Sequence, residues 1–280
     1  MFSSLAETYK SGIIDMINSA FGGGLFDDVF SFLSFSGQSY SNDIWNIVLR
    51  VYNNVMLPFG CALMVLWFLI FLMNKASEQS FSIEVMAKTF IKLVFAYMFM
   101  RSGINILGNL IGAGGSLIHS VRGSITSTNT MADQLITMLN NDVAGQTGLG
   151  SLMTAIFWYI KLLIPFLFAL IMKAIVSIIA IGRIIELAIK ACFAPIAFAD
   201  MFAEGTNGQG FRFIKGFLAT CLQGAVIAVI AIIYAQIAPS IFTAASTDFW
   251  GGILSYLVSG FAAVALVVKS QAIAKEIVGS

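Results

Sequence analysis

From Val55 to Met73 the chain runs without a single charged residue. As an α-helix, at 1.5 Å per residue, that stretch covers roughly 28 Å, about one hydrocarbon thickness of a bilayer. The rest of the sequence has the same character. It is 59% hydrophobic and only 10% charged, with a mean hydropathy of +0.91. A soluble domain is typically about 45–50% apolar and about 25% charged, so this chain has too few charges to cover a solvated surface. Its excess apolar surface must face lipid. The formal net charge of +1 argues against a nucleic-acid-coating role, which needs a basic patch or stripe.

The expected fold is therefore all-α and polytopic, with about five spans. They are placed at 55–73, 89–119, 152–173, 213–238 and 250–268, the third continuing as a cytoplasmic helical extension to 199. Arg101, Gly112, Gly114 and Gly115 interrupt the second span, Pro165 is a candidate kink in the third, and Pro239 marks the end of the fourth. The polar stretch from Ser120 to Ser151 has the composition of an aqueous loop. Residues 1–50 form a separate amphipathic N-terminal region, ahead of a transmembrane domain at 51–280. Within it, Leu5, Tyr9, Ile13, Met16 and Ile17 recur at helical spacing between Glu7, Lys10 and Asp15. Charge makes this helix, and the stretch from Leu25 to Phe35, unsuited to spanning. Both suit the membrane interface or a partner's surface, with Trp45 as an interfacial anchor. Glu7 and Asp15 stand where a cleavable signal peptide would need a basic start and an apolar block, so insertion is expected to rely on the internal spans.

Lysine and arginine positions choose the orientation. The N-terminal region carries five acids, Glu7, Asp15, Asp27, Asp28 and Asp43, against Lys10 and Arg50, so it belongs outside. Lys75, Lys88 and Lys92 in the first loop belong inside. Five spans also bring Arg183, Lys190, Arg212, Lys215, Lys269 and Lys275 inside, whereas six would trap Arg183 in a span and place the others outside. The expectation is N-terminus outside and C-terminus inside, in the cytoplasmic (inner) cell membrane.

Small residues recur every four positions in three spans. The rows are Gly108, Gly112 and Ser116; Gly216, Thr220, Gly224 and Ala228; and Gly251, Ser255, Ser259 and Ala263. Such a row lies on one helix face and lets backbones approach closely, within one chain or between subunits. Two charges stand within apolar stretches. Arg101 calls for a polar bundle interior or a subunit contact; Lys161, beside Trp158 and Tyr159, can equally snorkel to the outer interface. Arg183, Glu186 and Lys190 share one face, Glu186 and Lys190 forming a favourable i, i+4 pair, and read as a cytoplasm-facing amphipathic stretch.

No catalytic constellation is present: no nucleophile elbow, no phosphate loop, no pair of acids in mid-span. Cys61, Cys192 and Cys221 are an odd, scattered set of apolar fillers, and His119 has no partner at ligand spacing. The expectation is no enzyme, no cofactor and no metal. With one acid near a membrane segment's interior, Glu186, and no internal repeat, a coupled carrier is disfavoured.

The stretch from Ala191 to Val229 combines Pro195, Ile196, Ala197 and Phe198 with a loop bearing Gly205, Gly208 and Gly210. Phe211, Arg212 and Phe213 follow, then a span containing Gln223 and Gly224. It resembles a hallmark segment of the TrbL-like polytopic subunits of conjugative type IV secretion systems, especially those of Gram-positive conjugative elements. Outside those forty or so residues the agreement is one of hydropathy and span order. The resemblance implies a scaffold or conduit wall for DNA and protein transfer between cells. It also implies neighbouring secretion subunits including an ATPase, and a transferred DNA–protein substrate. The small-residue rows suggest a homo-oligomer. The competing readings are a small-solute channel or carrier, and a phage- or toxin-associated membrane protein.

Overall fold

The structure is a computed structural model that describes residues 2–21, 27–33, 42–77, 82–123, 131–144, 146, 149–204, 208–245 and 249–279. The described elements are all helical: α1 (Phe2–Phe21), α2 (Asp27–Leu33), α3 (Asn42–Val51), a π-helical turn (Tyr52–Met56), α4 (Leu57–Ser77), α5 (Ile83–Gly123), α6 (Met131–Ala144), α7 (Leu149–Glu204), α8 (Gln209–Ala245) and α9 (Phe249–Val278). Among the described residues, four stretches are long and apolar enough to cross a membrane: Ile44–Ser77, Leu149–Asp200, Gln209–Ala244 and Trp250–Val278. The chain is thus an all-α polytopic protein.

Several local expectations are corrected. The stretch expected as the second span lies within α5, an unbroken 41-residue helix less apolar than those four. Glu84, Lys88, Lys92 and Arg101, with Asn105 and Asn109, dilute its apolarity. The interruption expected at its glycines does not occur. Nor does the helix end at Pro239, which lies inside a continuous helix, as Pro195 does. A proline inside a helix removes one N–H donor and crowds the preceding turn. Tight packing offsets this at Pro195, whose ring and carbonyl lie against Gly60 so closely that a Cβ there would stand 2.8 Å from the Pro195 oxygen. The stretch assigned to an aqueous loop contains α6, which buries Met131, Leu135 and Leu139 at fourfold spacing.

α7 is 56 residues long, roughly 84 Å at 1.5 Å per residue, against a hydrocarbon layer of about 30 Å. The span and its extension are therefore one helix, far longer than a crossing requires.

Two compact units divide the chain. The first comprises Met1–Leu33, Ile118–Ala180 and Val226–Ser270. There α1 buries Ile13, Ile17, Ala20 and Phe21 against its own chain, Phe21 lying edge-on to Tyr256 at 5.3 Å between ring centroids. Trp158 Nε1 donates to Asp142 Oδ2 at 3.0 Å, tying α6 to α7. Gly260 admits Met172 and Tyr234, and Phe168 meets Phe261 edge-on.

The second unit comprises Ser34–Leu117, Ile181–Ala225 and Gln271–Ser280. α3 runs through the π-helical turn into α4, and the Tyr52 hydroxyl donates to the Met100 carbonyl of α5. Gly103 is packed under the Phe198 ring and the Tyr52 hydroxyl. Phe198 itself stacks edge-on with Phe99 and Phe213. Where α7 gives way to α8, the Asp200 carboxylate accepts from the Gln209 backbone N–H at 2.9 Å. That contact satisfies one of the donors a helix leaves unpaired at its start and places negative charge at its positive end.

Candidate functional site

Within the second unit three helices meet around a cluster of buried and half-buried polar side chains. Arg183 is the centre. It is 2% exposed and is among the largest fully buried side chains of the described residues. Its Nε donates to the Thr220 carbonyl at 3.0 Å and its Nη2 to the Cys221 carbonyl at 3.1 Å, both on α8. These carbonyls already serve their own helix, so the guanidinium uses their second lone pairs. Access is opened by Gly224, one turn on. A Cβ at Gly224 would stand 2.4 Å from the Arg183 guanidinium carbon, so any side chain there would expel it. The magnitudes favour this arrangement. An arginine in mid-membrane costs about 2.5–3.5 kcal/mol on insertion scales. Hydrogen bonds to a charged group return about 1.5–3 kcal/mol each, so two of them offset the burial.

Two helical turns further along α7, Lys190 Nζ approaches Glu186 Oε1 at 2.7 Å and donates to Thr220 Oγ1 at 2.7 Å and the Gly216 carbonyl at 3.4 Å. The Thr220 hydroxyl donates to the Gly216 carbonyl at 3.0 Å, with Glu186 Oε1 at 3.4 Å as a longer alternative. From α9, Gln271 Nε2 donates to both Glu186 oxygens, at 3.1 and 3.3 Å. Every charge is thus met by an opposite charge or a hydrogen bond, as low-dielectric burial requires. The result is a polar lock joining α7, α8 and α9. It fixes the register of α7 against α8: sliding either by one turn would take both carbonyls from the buried Arg183. Among the described residues no three His, Cys, Asp or Glu side chains gather into a metal-binding group.

The lock overturns the reading of Arg183, Glu186 and Lys190 as a cytoplasm-facing stretch: their common face is turned into the bundle. Arg101, expected in a polar bundle interior or at a subunit contact, is exposed on the single chain. Lys161 is half-buried, with its Nζ 4.6 Å from the centroid of the Phe157 ring. Of the small residues, Gly108 lies against the Trp45 indole and Gly224 against Arg183, so Gly224 makes room for a side chain rather than a backbone. Gly112 and Gly216 have open space where a Cβ would go, although the Gly216 carbonyl belongs to the lock. Ser255 is half-buried, and the Ser259 hydroxyl donates to the Tyr256 carbonyl at 2.7 Å. Phe198, Gly208, Gly210 and Gln223 are buried, whereas Arg212 is exposed. Gly205 lies outside the described residues.

Sequence reasoning missed Gln271 and the close approaches at Gly60, Gly103 and Gly260. A signal existed for Gln271. It stands on the row that runs through Val267 and Ala274, both fully buried, so a polar group there had to meet another. Gly60 and Gly103 stand in no fourfold row, and nothing in the sequence marks them.

No curated protein and no solved structure matches the chain significantly. A family model does match, over residues 28–195, described as TrbL/VirB6 plasmid conjugal transfer like protein. The matched region lies almost entirely ahead of the Ala191–Val229 stretch that carried the resemblance, meeting it only at Ala191–Pro195, so helices α2 to α7 hold the family pattern. With well over half of its 280 residues matched, this all-helical membrane chain belongs to the TrbL/VirB6 plasmid conjugal transfer-like family.

Proposed function

We propose that this membrane component of conjugal transfer is a structural part of a type IV secretion channel, a scaffold or conduit wall rather than a catalyst. The observation that carries the proposal is the family match over residues 28–195. The polar lock supports it, since it holds helices in register. On this reading the chain sits in the cytoplasmic membrane beside other secretion subunits, including the ATPase that energises transfer, and forms a closed homo-oligomer around or beside the DNA–protein substrate. α5 crosses as a fifth span, with the N-terminus outside and the C-terminus inside, which keeps Lys75, Lys88, Lys92, Arg212 and Lys215 on the cytoplasmic side.

Deletion of the gene from a donor cell should abolish conjugal transfer, and the intact chain supplied in trans should restore it. Transfer at the parental frequency without the gene would reject the proposal. Solute flux by the purified chain alone in liposomes would point instead to a carrier.

A further inference from the structure

One face of α5 does not suit lipid. Arg101, Asn105, Asn109 and Ser116 recur at four- and seven-residue steps, and all four are exposed. The opposite face carries Met100, Ile104, Leu107 and Ile111, which are buried. The adjoining α3 and π-helical turn, held to α5 through Trp45 at Gly108 and Tyr52 at Met100 and Gly103, expose Arg50, Asn53 and Asn54.

The position of this face relative to lipid follows from contacts inside the second unit. Phe99 and Gly103 of α5 touch Phe198 of α7. Eleven residues beyond Gly103, Gly114 packs on the Cys221 carbonyl, the group to which Arg183 of α7 donates. Gly103 to Gly114 therefore runs alongside α7 from Phe198 back to Arg183. Over that length α7 turns Ile185, Ile189 and Phe193 outward, with Ile185 and Ile189 each 54% exposed. Isoleucines and a phenylalanine suit hydrocarbon; the carboxamides of Asn105 and Asn109 at the same level, with the Arg101 guanidinium just beyond it, do not.

We infer that the α5 face bearing Arg101, Asn105 and Asn109 lines a water-filled passage receptive to anions, enclosed together with other subunits, while the α7 face beside it meets lipid. Water rather than a second copy is the occupant because the carboxylates of a copy alongside this stretch already have donors: Glu186 has Lys190 and Gln271, and Asp200, level with Arg101, has the Gln209 N–H. Asparagines supply donors and acceptors that water meets without fixed geometry, and the arginines give the wall its charge preference. The inference rests on the conduit-wall reading and specifies which surface of the wall is wet.

The test uses the full chain in membranes of cells that carry the remaining transfer proteins, with Cys61, Cys192 and Cys221 replaced by alanine. Single cysteines at Asn53, Asn105 and Asn109 are compared with single cysteines at Ile185 and Ile189. The probes are membrane-impermeant thiosulfonates, one anionic and one cationic, applied to opened membranes so that both sides are reached. The asparagine positions should react at least tenfold faster than the isoleucine positions. The preference for the anionic probe at Asn105→Cys should fall severalfold when Arg101→Gln is added. Equal or absent reactivity at all positions in chains that accumulate normally would overturn the inference, as would copy-to-copy disulfides at Asn105→Cys. The two readings fail separately. Unreactive asparagine positions in a chain required for transfer leave a scaffold with no wet face. Reactive positions in a chain dispensable for transfer leave a wet face that is no part of a conduit.

Discussion

Arg101 and Arg183 both interrupt apolar helices, and the fold treats them in opposite ways. Around Arg101 the chain reads Met98, Phe99, Met100 and then Ser102, Gly103, Ile104; around Arg183 it reads Ala180, Ile181, Gly182 and then Ile184, Ile185, Glu186. Flanking hydrophobicity gives little reason to separate them. Arg183 is buried because a neighbouring helix presents two carbonyls beside a glycine. Arg101 is exposed because the face of α5 that meets the bundle is already filled by Met100, Ile104 and Leu107. The destination of a membrane arginine is set by whether another helix offers acceptors and space, not by its own neighbours in sequence.

The largest effect is expected at the glycine that admits Arg183. Gly224→Leu displaces the guanidinium and leaves a buried charge without acceptors, a loss of about 3–5 kcal/mol. Thermal unfolding in detergent should show a fall in melting temperature that Arg183→Met largely reverses in the double variant. If single and double variants melt alike, Gly224 does not serve Arg183. A smaller loss is expected on the packed face of α5, two residues from Arg101. A Cβ at Gly103 would stand 2.4 Å from Phe198 Cε2 and 2.7 Å from the Tyr52 hydroxyl. Gly103→Ala should therefore cost about 1–3 kcal/mol as overpacking, read by the same melting measurement.

Smaller again is Glu186→Gln. It keeps the shape but takes the carboxylate from Lys190 and Gln271, whose partners here are only partly buried. About 1–2 kcal/mol is expected after allowing for that screening, and a change of melting temperature within error would mean that the lock depends on Arg183 alone. At the far end, Arg101→Gln should leave the melting temperature unchanged and alter only the charge preference of the face around it. A clear loss of stability there would erase the contrast between the two arginines.

Much of the architecture was legible because it depends on local composition. Uncharged runs such as Val55–Met73 become apolar helices wherever they sit, and Ile13 and Ile17 fall on one buried face because helical period alone brings them together. The extent of the helices was less legible. Pro195 and Pro239 signal breaks, but a proline stays inside a helix when packing compensates the lost donor, as Gly60 shows at Pro195. α6 was hidden by its polar residues, although Met131, Leu135 and Leu139 kept helical spacing. In the lock, Glu186 and Lys190 could be paired from spacing alone. Their partners Thr220 and Gln271 lie 34 and 85 residues from Glu186, and no local pattern encodes contacts at that separation.

The sequence by itself determined the solvent of this protein and its helical class, because both follow from residues counted one stretch at a time: apolar surface in excess of what water tolerates, in runs long enough to cross hydrocarbon. Only the tertiary structure decided which polar groups are turned inward and which outward. A guanidinium can be buried only where distant residues supply acceptors within about 3 Å, and that is a property of helices meeting in space rather than of any one of them.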